Sequence, residues 1–519
     1  MAERQLVRSL PSKQQLVLPY NDKLSTVITT AKRHNVRGRD ILVMPHKPTE
    51  SKILHNLGYK VSSPFMEYYN WCNTTPYKHQ KITSNMLVFN DRAYVLNDMG
   101  SGKSLSVLYA YDYLRSIEYA DKMLVVAPLS TLNSVWEREV FRWMPHLEVS
   151  VLHGTKKQRL RALNEPADIY IINHDGLGVI FEELKARKDI DTYVVDELSA
   201  FKNAQTNRWK TLNKLIGMKR TWGLTGRPIP QGPTDAYGQI KLLTPASVPK
   251  SFRMFQSKTM VQVSQFKWVP KRDAYDTVFK AMQPAVRYAL EDCTTLPPVT
   301  HSHIKVSLSA QQKQAYDELM KKLMWQYGQD EVTAANEGVK LSKLLQICSG
   351  FVYMTSKQKA IDFDNSERIS ALIDILNATR RKAIVFLSFK HGVTKLHKEL
   401  VNQGFAAEKI FGETPKKKRD DIYARFQHED DIKVLVAHPA TMAHGLTLTA
   451  ANVVVWFSPA PSLEIYEQAN ARVRRPSQTS KQYIIHLYTE GVESRVNKRL
   501  ANNQKVQGTL LEMFEEQGQ

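Results

Sequence analysis

Asn97–Ser104 reads NDMGSGKS, a run in which two glycines, a lysine and a hydroxyl residue fall where a phosphate chain can be held. Gly100 and Gly102 let backbone N–H groups turn inward around Ser101. Lys103 supplies a point charge to terminal phosphates, and Ser104 offers a hydroxyl to Mg2+. The general phosphate-loop pattern asks for glycine where this chain has Asn97. Downstream, YVVDE ends in Asp196 and Glu197. Adjacent acids at a strand end can divide their work, Asp196 holding Mg2+ and Glu197 orienting or deprotonating a water. Such a pair by itself also describes a solvated turn. In QANARVRR, Arg472 and Arg475 stand three residues apart, one helical turn, and could bring guanidinium groups against a transferring phosphate. The same spacing describes a basic helix face on the surface. Gln80, in TPYKHQK, both donates and accepts as an adenine edge requires, although an upstream glutamine has no such task by default. Together these residues point to ATP and Mg2+ in a cleft between two domains, with hydrolysis tied to domain motion.

The elements that must position them follow from the pattern of apolar runs. AYVLN, MLVVAP, DIYIIN, YVVDE and TWGLTG read as buried strands, each followed by a stretch long enough for a helix, such as Ser104–Ser116 and Leu132–Met144. The rhythm returns after Arg368 with KAIVFLS, EKIFG, KVLVAH, NVVVWFS and QYIIHLY. Two parallel α/β sheets in tandem are the economical reading. Because ligands in such sheets bind at the carboxyl ends of strands, the loop and the acid pair should converge. Between the sheets, amphipathic segments (Ala310–Tyr327, Val339–Ile347) and the break Leu296-Pro297-Pro298 indicate a mostly helical insertion. The expected divisions are a small N-terminal segment (1–72), a first sheet domain (73–245), the insertion (246–365), a second sheet domain (366–505) and a tail (506–519). The N-terminal segment suggests a small helix and turn with an aromatic cluster, Tyr59, Phe65, Tyr68, Tyr69 and Trp71, that packs on the first domain or serves as a substrate wedge.

At 519 residues, with 42% hydrophobic and 24% charged residues, the chain has the length for several globular domains. Its longest apolar runs, Met123–Ala127 and Val453–Phe457, are far too short to span a bilayer, and no signal-peptide pattern is expected. The three cysteines, Cys72, Cys293 and Cys348, have no metal-ligand spacing and read as small core residues of a protein in a reducing, cytoplasmic setting. A net charge of +21 suits a polyanion, most often nucleic acid, and equally a solvated lysine surface.

The ordered set of motifs resembles helicase superfamily 2, most closely its Swi/Snf-like translocase branch. That branch replaces the first loop glycine, which accounts for Asn97. DMGSGKS resembles its motif I, and VVAPLSTLNSVWEREVFRW motif Ia with the downstream tryptophan and acid. VVDELSAFKN resembles motif II, and GLTGRPIPQGPTDAYG motif III. AIVFLSF and FGETPKKKRDDIYARF are similar to motif IV and the segment after it, GLTLTAA (Gly445–Ala451) to motif V, and QANARVRRPSQ to motif VI with Gln468 and Gln478 in place. The match runs from about Pro76 to Arg495, and the compact build is similar to Swi/Snf-type helicases of bacteriophages. Departures are Ser199 where histidine is common, Arg227 where threonine is common, and Met442 and Ala443 in place of a glycine pair.

The resemblance implies two tandem RecA-like P-loop NTPase domains, ATP and Mg2+ as cofactors, and DNA as partner. It places Gly445 with the nucleotide-binding residues. By motif position it implies backbone contacts to nucleic acid from Pro128, Ser130, Thr131, Lys202, Asn203 and Thr225, and from Ser388, Gly412, Thr414, Thr447 and Thr449. Small hydroxyl and glycine residues suit phosphate contacts that position a strand without reading its sequence. The leading expectation is an ATP-dependent DNA translocase or helicase, with no membrane partner and a monomer compatible with the motif set. An RNA-directed helicase and a nucleotide-bound scaffold without motor activity stand as the alternatives.

Overall fold

The computed structural model describes residues 7–71, 75–230, 232–264, 267–293, 296–328, 334–354, 360–442 and 447–502. The chain divides into two compact units, Met1–Cys293 and Thr294–Gln519. The first is built on a seven-stranded sheet in the order Ala285–Val286, Arg92–Val95, Arg220–Leu224, Ile190–Asp196, Lys122–Ala127, Ile169–Asn173, Val149–Leu152. Every pairing in it is parallel. The central strands are β-branched and apolar, and their side chains feed two buried clusters, one on each face. Flanking helices close both faces, which gives the three-layer arrangement that parallel crossovers impose.

The second unit repeats the plan with six parallel strands, ordered Val299–Lys305, Gln482–Tyr488, Ala451–Trp456, Lys382–Phe386, Val434–Ala437, Ala407–Ile410. All ten strands expected from the sequence form. Parallel sheets flanked by helices in two domains are therefore the fold.

Stretch 246–365 is joined to both large sheets. Helices do predominate there, including Ala310–Gly328 and Ala334–Cys348. Two of its strands, however, are spliced outward: Ala285–Val286 extends the first sheet and Val299–Lys305 extends the second, while Met260–Ser264 with Lys267–Pro270 and Phe351–Tyr353 with Ala360–Asp362 form two-stranded sheets of their own. The N-terminal segment also holds more than a helix and turn. The helix is Pro48–Asn56, but around it lies a four-stranded antiparallel sheet, ordered Arg8–Leu10, Gln15–Pro19, Arg39–Pro45, Lys32–Val36. That sheet has a small core of its own, including Leu16, Leu18, Leu42, Met44 and Leu54. The aromatic cluster packs rather than projects: Phe65 sits 5.1 Å from both Trp71 and Tyr113, and Tyr69 lies 6.1 Å from Tyr109.

One buried ion pair organises the second unit. Arg368, 2% exposed, meets the carboxylate of Glu493, which is fully buried, and also donates to the carbonyl of Phe457. Glu493 further accepts from the N–H and the hydroxyl of Thr489, at 2.8 and 3.0 Å. Removing one partner of such a pair strands a buried charge, whereas replacing both does not. Arg368→Met should therefore cost about 3–5 kcal/mol, and the double replacement Arg368→Met/Glu493→Leu much less, as read by urea unfolding.

Candidate nucleotide site

Register brings the chemistry to one edge of the first sheet. Leu224 pairs with Val95 on one side and with Asp196 on the other, so the phosphate loop, the Thr225 segment and the acid pair leave the sheet at one level. Adjacent strands lie about 4.8 Å apart, which puts the loop and the acids about 10 Å from each other across the sheet. The expected convergence is thus a property of strand order.

The loop itself is shaped by two left-handed residues, Gly100 (φ 84°) and Gly102 (φ 76°), the latter capping the helix Lys103–Ser116. A side chain at Gly102 is disfavoured by φ, and Nε2 of Gln80 would have to leave the space a Cβ needs. The ammonium of Lys103 donates to the carbonyls of Asn97 and Asp98, at 2.9 and 3.1 Å, and is held over the loop. The Ser101 hydroxyl is buried with no hydrogen-bond partner among the described residues. Positive-φ glycines, a restrained ammonium and an orphaned hydroxyl at a helix start form a donor set that fits a nucleotide phosphate chain. Half-buried Ser104, in the first turn of the helix, and Asp196 are the oxygen donors that fit Mg2+.

Asn97 has a structural task that glycine could not perform. Fully buried, it donates from Nδ2 to the Thr83 hydroxyl at 3.1 Å and accepts at Oδ1 from the Tyr288 N–H at 3.0 Å. It thereby ties the loop to the helix Lys78–Phe89 and to the segment that follows the edge strand Ala285–Val286. Gln80 is buried beside the loop, but its Oε1 accepts from the Tyr77 N–H at 2.9 Å and caps its own helix. Its amide nitrogen lies against Gly102, so both ends of the side chain already have neighbours in the protein. Tyr77 stacks on His79 with ring centroids 5.7 Å apart, and the His79 Nε2–H donates to the Ser101 carbonyl at 2.7 Å.

The acid pair is held from behind. Asp196 accepts from the indole N–H of buried Trp136 at 3.0 Å through one oxygen and from the Glu197 N–H at 3.0 Å through the other. The Asp196 carbonyl accepts from the Nε2–H of His174 at 2.9 Å. Glu197 stands at φ 52°, ψ 56°, a left-handed conformation uncommon for a side-chain-bearing residue. The backbone bends there, directly after the strand that Asp196 ends. Motif Ia contains Trp136 without giving it a task, and nothing in the sequence marks His174. Their roles depend on contacts that close only in the folded sheet.

Other first-unit positions fall into two groups. The Ser130 hydroxyl is buried without a partner among the described residues, and Asn203 is exposed, so both can receive a ligand. Lys202 pairs with Asp235 at 3.5 Å. Pro128, Thr131 and Thr225 are buried. The Thr131 hydroxyl donates to the Pro128 carbonyl at 2.9 Å, and that of Thr225 accepts from the Arg227 N–H at 3.1 Å. These hydroxyls shape their own turns.

In the second unit, Ser388, Gly412 and Thr414 follow the carboxyl ends of strands Lys382–Phe386 and Ala407–Ile410. The Ser388 hydroxyl donates to the Pro459 carbonyl, and that of Thr414 accepts from the Phe411 N–H. Gly412 is exposed with open space where a Cβ would stand. Thr447 is exposed. Thr449 lies instead at the amino end of Ala451–Trp456, buried, with its hydroxyl 3.3 Å from that of Ser477. Gly445 lies outside the described residues.

The arginines do not share a helical turn. The helix Leu463–Asn470 ends before them, its last residue held by the Trp456 indole N–H at 3.1 Å, and both lie in the turns that follow. Arg472 is buried, with Nε donating to the Gln468 carbonyl at 3.0 Å, while Arg475 is half-buried. The Arg472 carbonyl accepts from the Leu448 N–H at 2.9 Å, which joins this segment to the one bearing Thr447 and Thr449.

With that geometry in place, comparison with known proteins assigns the class. A family described as SNF2-related domain matches residues 87–361, more than half of the chain, and one described as helicase conserved C-terminal domain matches residues 367–477. The chain belongs to the SNF2-related family. Protein p41 of Acyrthosiphon pisum secondary endosymbiont phage 1 is 27% identical over 465 residues, covering 84% of this chain and 98% of p41. The SWI/SNF-related matrix-associated actin-dependent regulator of chromatin subfamily A-like protein 1 of Xenopus laevis is 25% identical over 413 residues, 77% of this chain and 40% of that protein. The chain therefore spans nearly all of p41 but less than half of the Xenopus relative. Among solved structures, the Sulfolobus solfataricus SWI2/SNF2 ATPase core in complex with dsDNA is similar at 23% identity and a TM-score of 0.42, over 84% of this chain and 92% of that one. Among the described residues, no helix is long and apolar enough to cross a membrane.

Two predictions follow the anchors of Asp196. Trp136→Phe keeps the ring but removes the N–H donor, so the ATPase kcat should fall at least ~tenfold, with ATP affinity changed little. A matching loss of affinity would assign Trp136 to packing alone. Burial holds the His174 imidazole down to about 4 from its ordinary 6.5. The unfolded chain therefore takes up the proton first, and the stability this residue contributes is intact above pH 6.5 and lost as pH falls towards 4. His174→Gln cannot titrate, and its unfolding free energy should decline less steeply than that of the parent across this window.

Proposed function

We propose that this chain is an ATP-dependent motor that moves along or remodels DNA. The observation that carries the reading is the joint exit of the phosphate loop and the Asp196–Glu197 pair from one sheet edge, with Asp196 fixed by two N–H donors. A binding scaffold has no use for a restrained carboxylate followed directly by a second one on a left-handed backbone. Family membership, the chromatin-regulator name of the Xenopus relative and the net charge of +21 support DNA as the track.

In this reading Gly100–Ser104 hold the ATP phosphates, with Lys103 releasing the loop carbonyls to meet the terminal ones. Ser104 and Asp196 hold Mg2+, which neutralises phosphate charge when bound. Glu197 accepts the proton of the attacking water. Arg472 and Arg475 stabilise charge developing on the transferred phosphoryl group, a contribution that reaches ~10³–10⁵ in rate in enzymes built this way. Gln80 orients the base from the side of its amide nitrogen. Gly445 carries the nucleotide-binding role that its motif position implies. Ser130, Asn203, Gly412 and Thr447 are the positions with groups available to a DNA backbone, joined by Lys202, Ser388 and Thr414 after local rearrangement. Pro128, Thr131, Thr225 and Thr449 act by holding their turns.

The deciding experiment is ATP turnover measured alone and with duplex DNA, single-stranded DNA or RNA. Stimulation by DNA is expected. Stimulation by RNA only would replace the track, and no turnover under any condition would remove the motor. Lys103→Ala should lower turnover by more than ~10³. Glu197→Gln should retain ATP binding while hydrolysis falls by at least ~10², and parent-like turnover in it would move the base elsewhere.

A further inference from the structure

The hairpin formed by Lys32–Val36 and the start of Arg39–Pro45 precedes both segments matched by the families. Lys32–Val36 is an edge strand, exposed along its whole length. The turn between the strands is Arg37–Gly38, both at positive φ (51° and 77°), which is the tight two-residue connection that fits strand twist. Cross-strand register sets Val36 opposite Arg39 and His34 opposite Ile41. By alternation, Lys32, His34, Val36, Arg39 and Ile41 then share one face, and Arg37 stands at the tip.

Charge is distributed unevenly over this ribbon. Arg33, on the other face, is committed: it pairs with Asp40 and lies 4.2 Å over the Tyr20 ring. Among the described residues Lys32, Arg37 and Arg39 are exposed and enter no ion pair, and Asp40 is the only carboxylate between Lys32 and Asp40. The mount is rigid, because the neighbouring strand buries Leu42 and Met44 in the small core. Lys52 ties the same module to the first domain through the Phe89 carbonyl at 2.8 Å.

We propose that this hairpin is a second nucleic-acid contact, separate from the motor track, which grips the phosphates of duplex DNA. An edge strand with a cation on each face, Lys32 on one and Arg33 on the other, resists pairing with other strands, and a major groove admits a two-stranded ribbon of this kind. A lipid surface fits less well, since Val36 is the sole apolar side chain from Lys32 to Arg39 and membrane-surface elements need a larger apolar face. The choice of DNA over another polyanion rests on the motor reading above.

The test uses the full chain and the triple variant Lys32→Ala/Arg37→Ala/Arg39→Ala, with a fluorescent 30-base-pair duplex and no nucleotide. Loss of three phosphate contacts should lower the slope of log affinity against log salt by about 2–3 and weaken binding about tenfold or more at moderate salt. The DNA concentration for half-maximal ATPase stimulation should rise, while DNA-free turnover and the melting temperature stay at parent values. Parent-like affinity and slope in the variant would overturn the proposal, as would a loss confined to phosphatidylserine vesicles. If the parent's turnover ignores DNA, the motor reading fails, yet the nucleotide-free slopes still decide the role of the hairpin.

Discussion

Parallel pairing of three strands, Arg92–Val95, Arg220–Leu224 and Ile190–Asp196, is the constraint on which the candidate nucleotide site depends. Their common register places three chain exits side by side, and each exit carries a different component. A slip of one residue in any of them would turn its apolar side chains from one core to the other and move its exit along the sheet. The two buried clusters that sandwich these strands therefore fix the chemistry as firmly as they fix the fold.

Asn97 extends that constraint beyond the three strands. A general phosphate loop places glycine there for conformational freedom, whereas this chain spends the position on two buried hydrogen bonds. One partner, Thr83, precedes the loop in the chain. The other, Tyr288, comes more than 180 residues later, at the end of the first unit. The loop is thus held at its base by the segment that follows the edge strand of its own sheet, so ordering of that edge and ordering of the loop are coupled.

Much of this was legible in the residues. Most of the ten expected strands are contiguous apolar runs buried on both faces, the strongest signal a parallel sheet leaves; Ala407–Ile410, half-buried and bearing Glu408 and Lys409, is the weakest of them. Val149–Leu152, Ala285–Val286 and Val299–Lys305 left weaker traces. The first is interrupted by Ser150, the second has two residues, and the third alternates polar and half-buried positions that read as loop. Loop glycines, Lys103 and the acid pair were visible because their chemistry demands those residue types. The end of the arginine helix at Asn470 was not, since it depends on an indole hydrogen bond from a distant strand. Nor was the burial of Thr131, Thr225 and Thr449, whose hydroxyls look like surface donors until their turns close.

The left-handed backbone at Glu197 has a consequence for how this protein can change. A side chain in that conformation costs about 1 kcal/mol or more, and glycine would remove the penalty. Heat-tolerance screens that ignore turnover should therefore enrich Glu197→Gly, yielding sturdier molecules that, on the role proposed for Glu197, no longer hydrolyse ATP. At this residue robustness and competence pull in opposite directions, and only selection for activity keeps the less comfortable one in place.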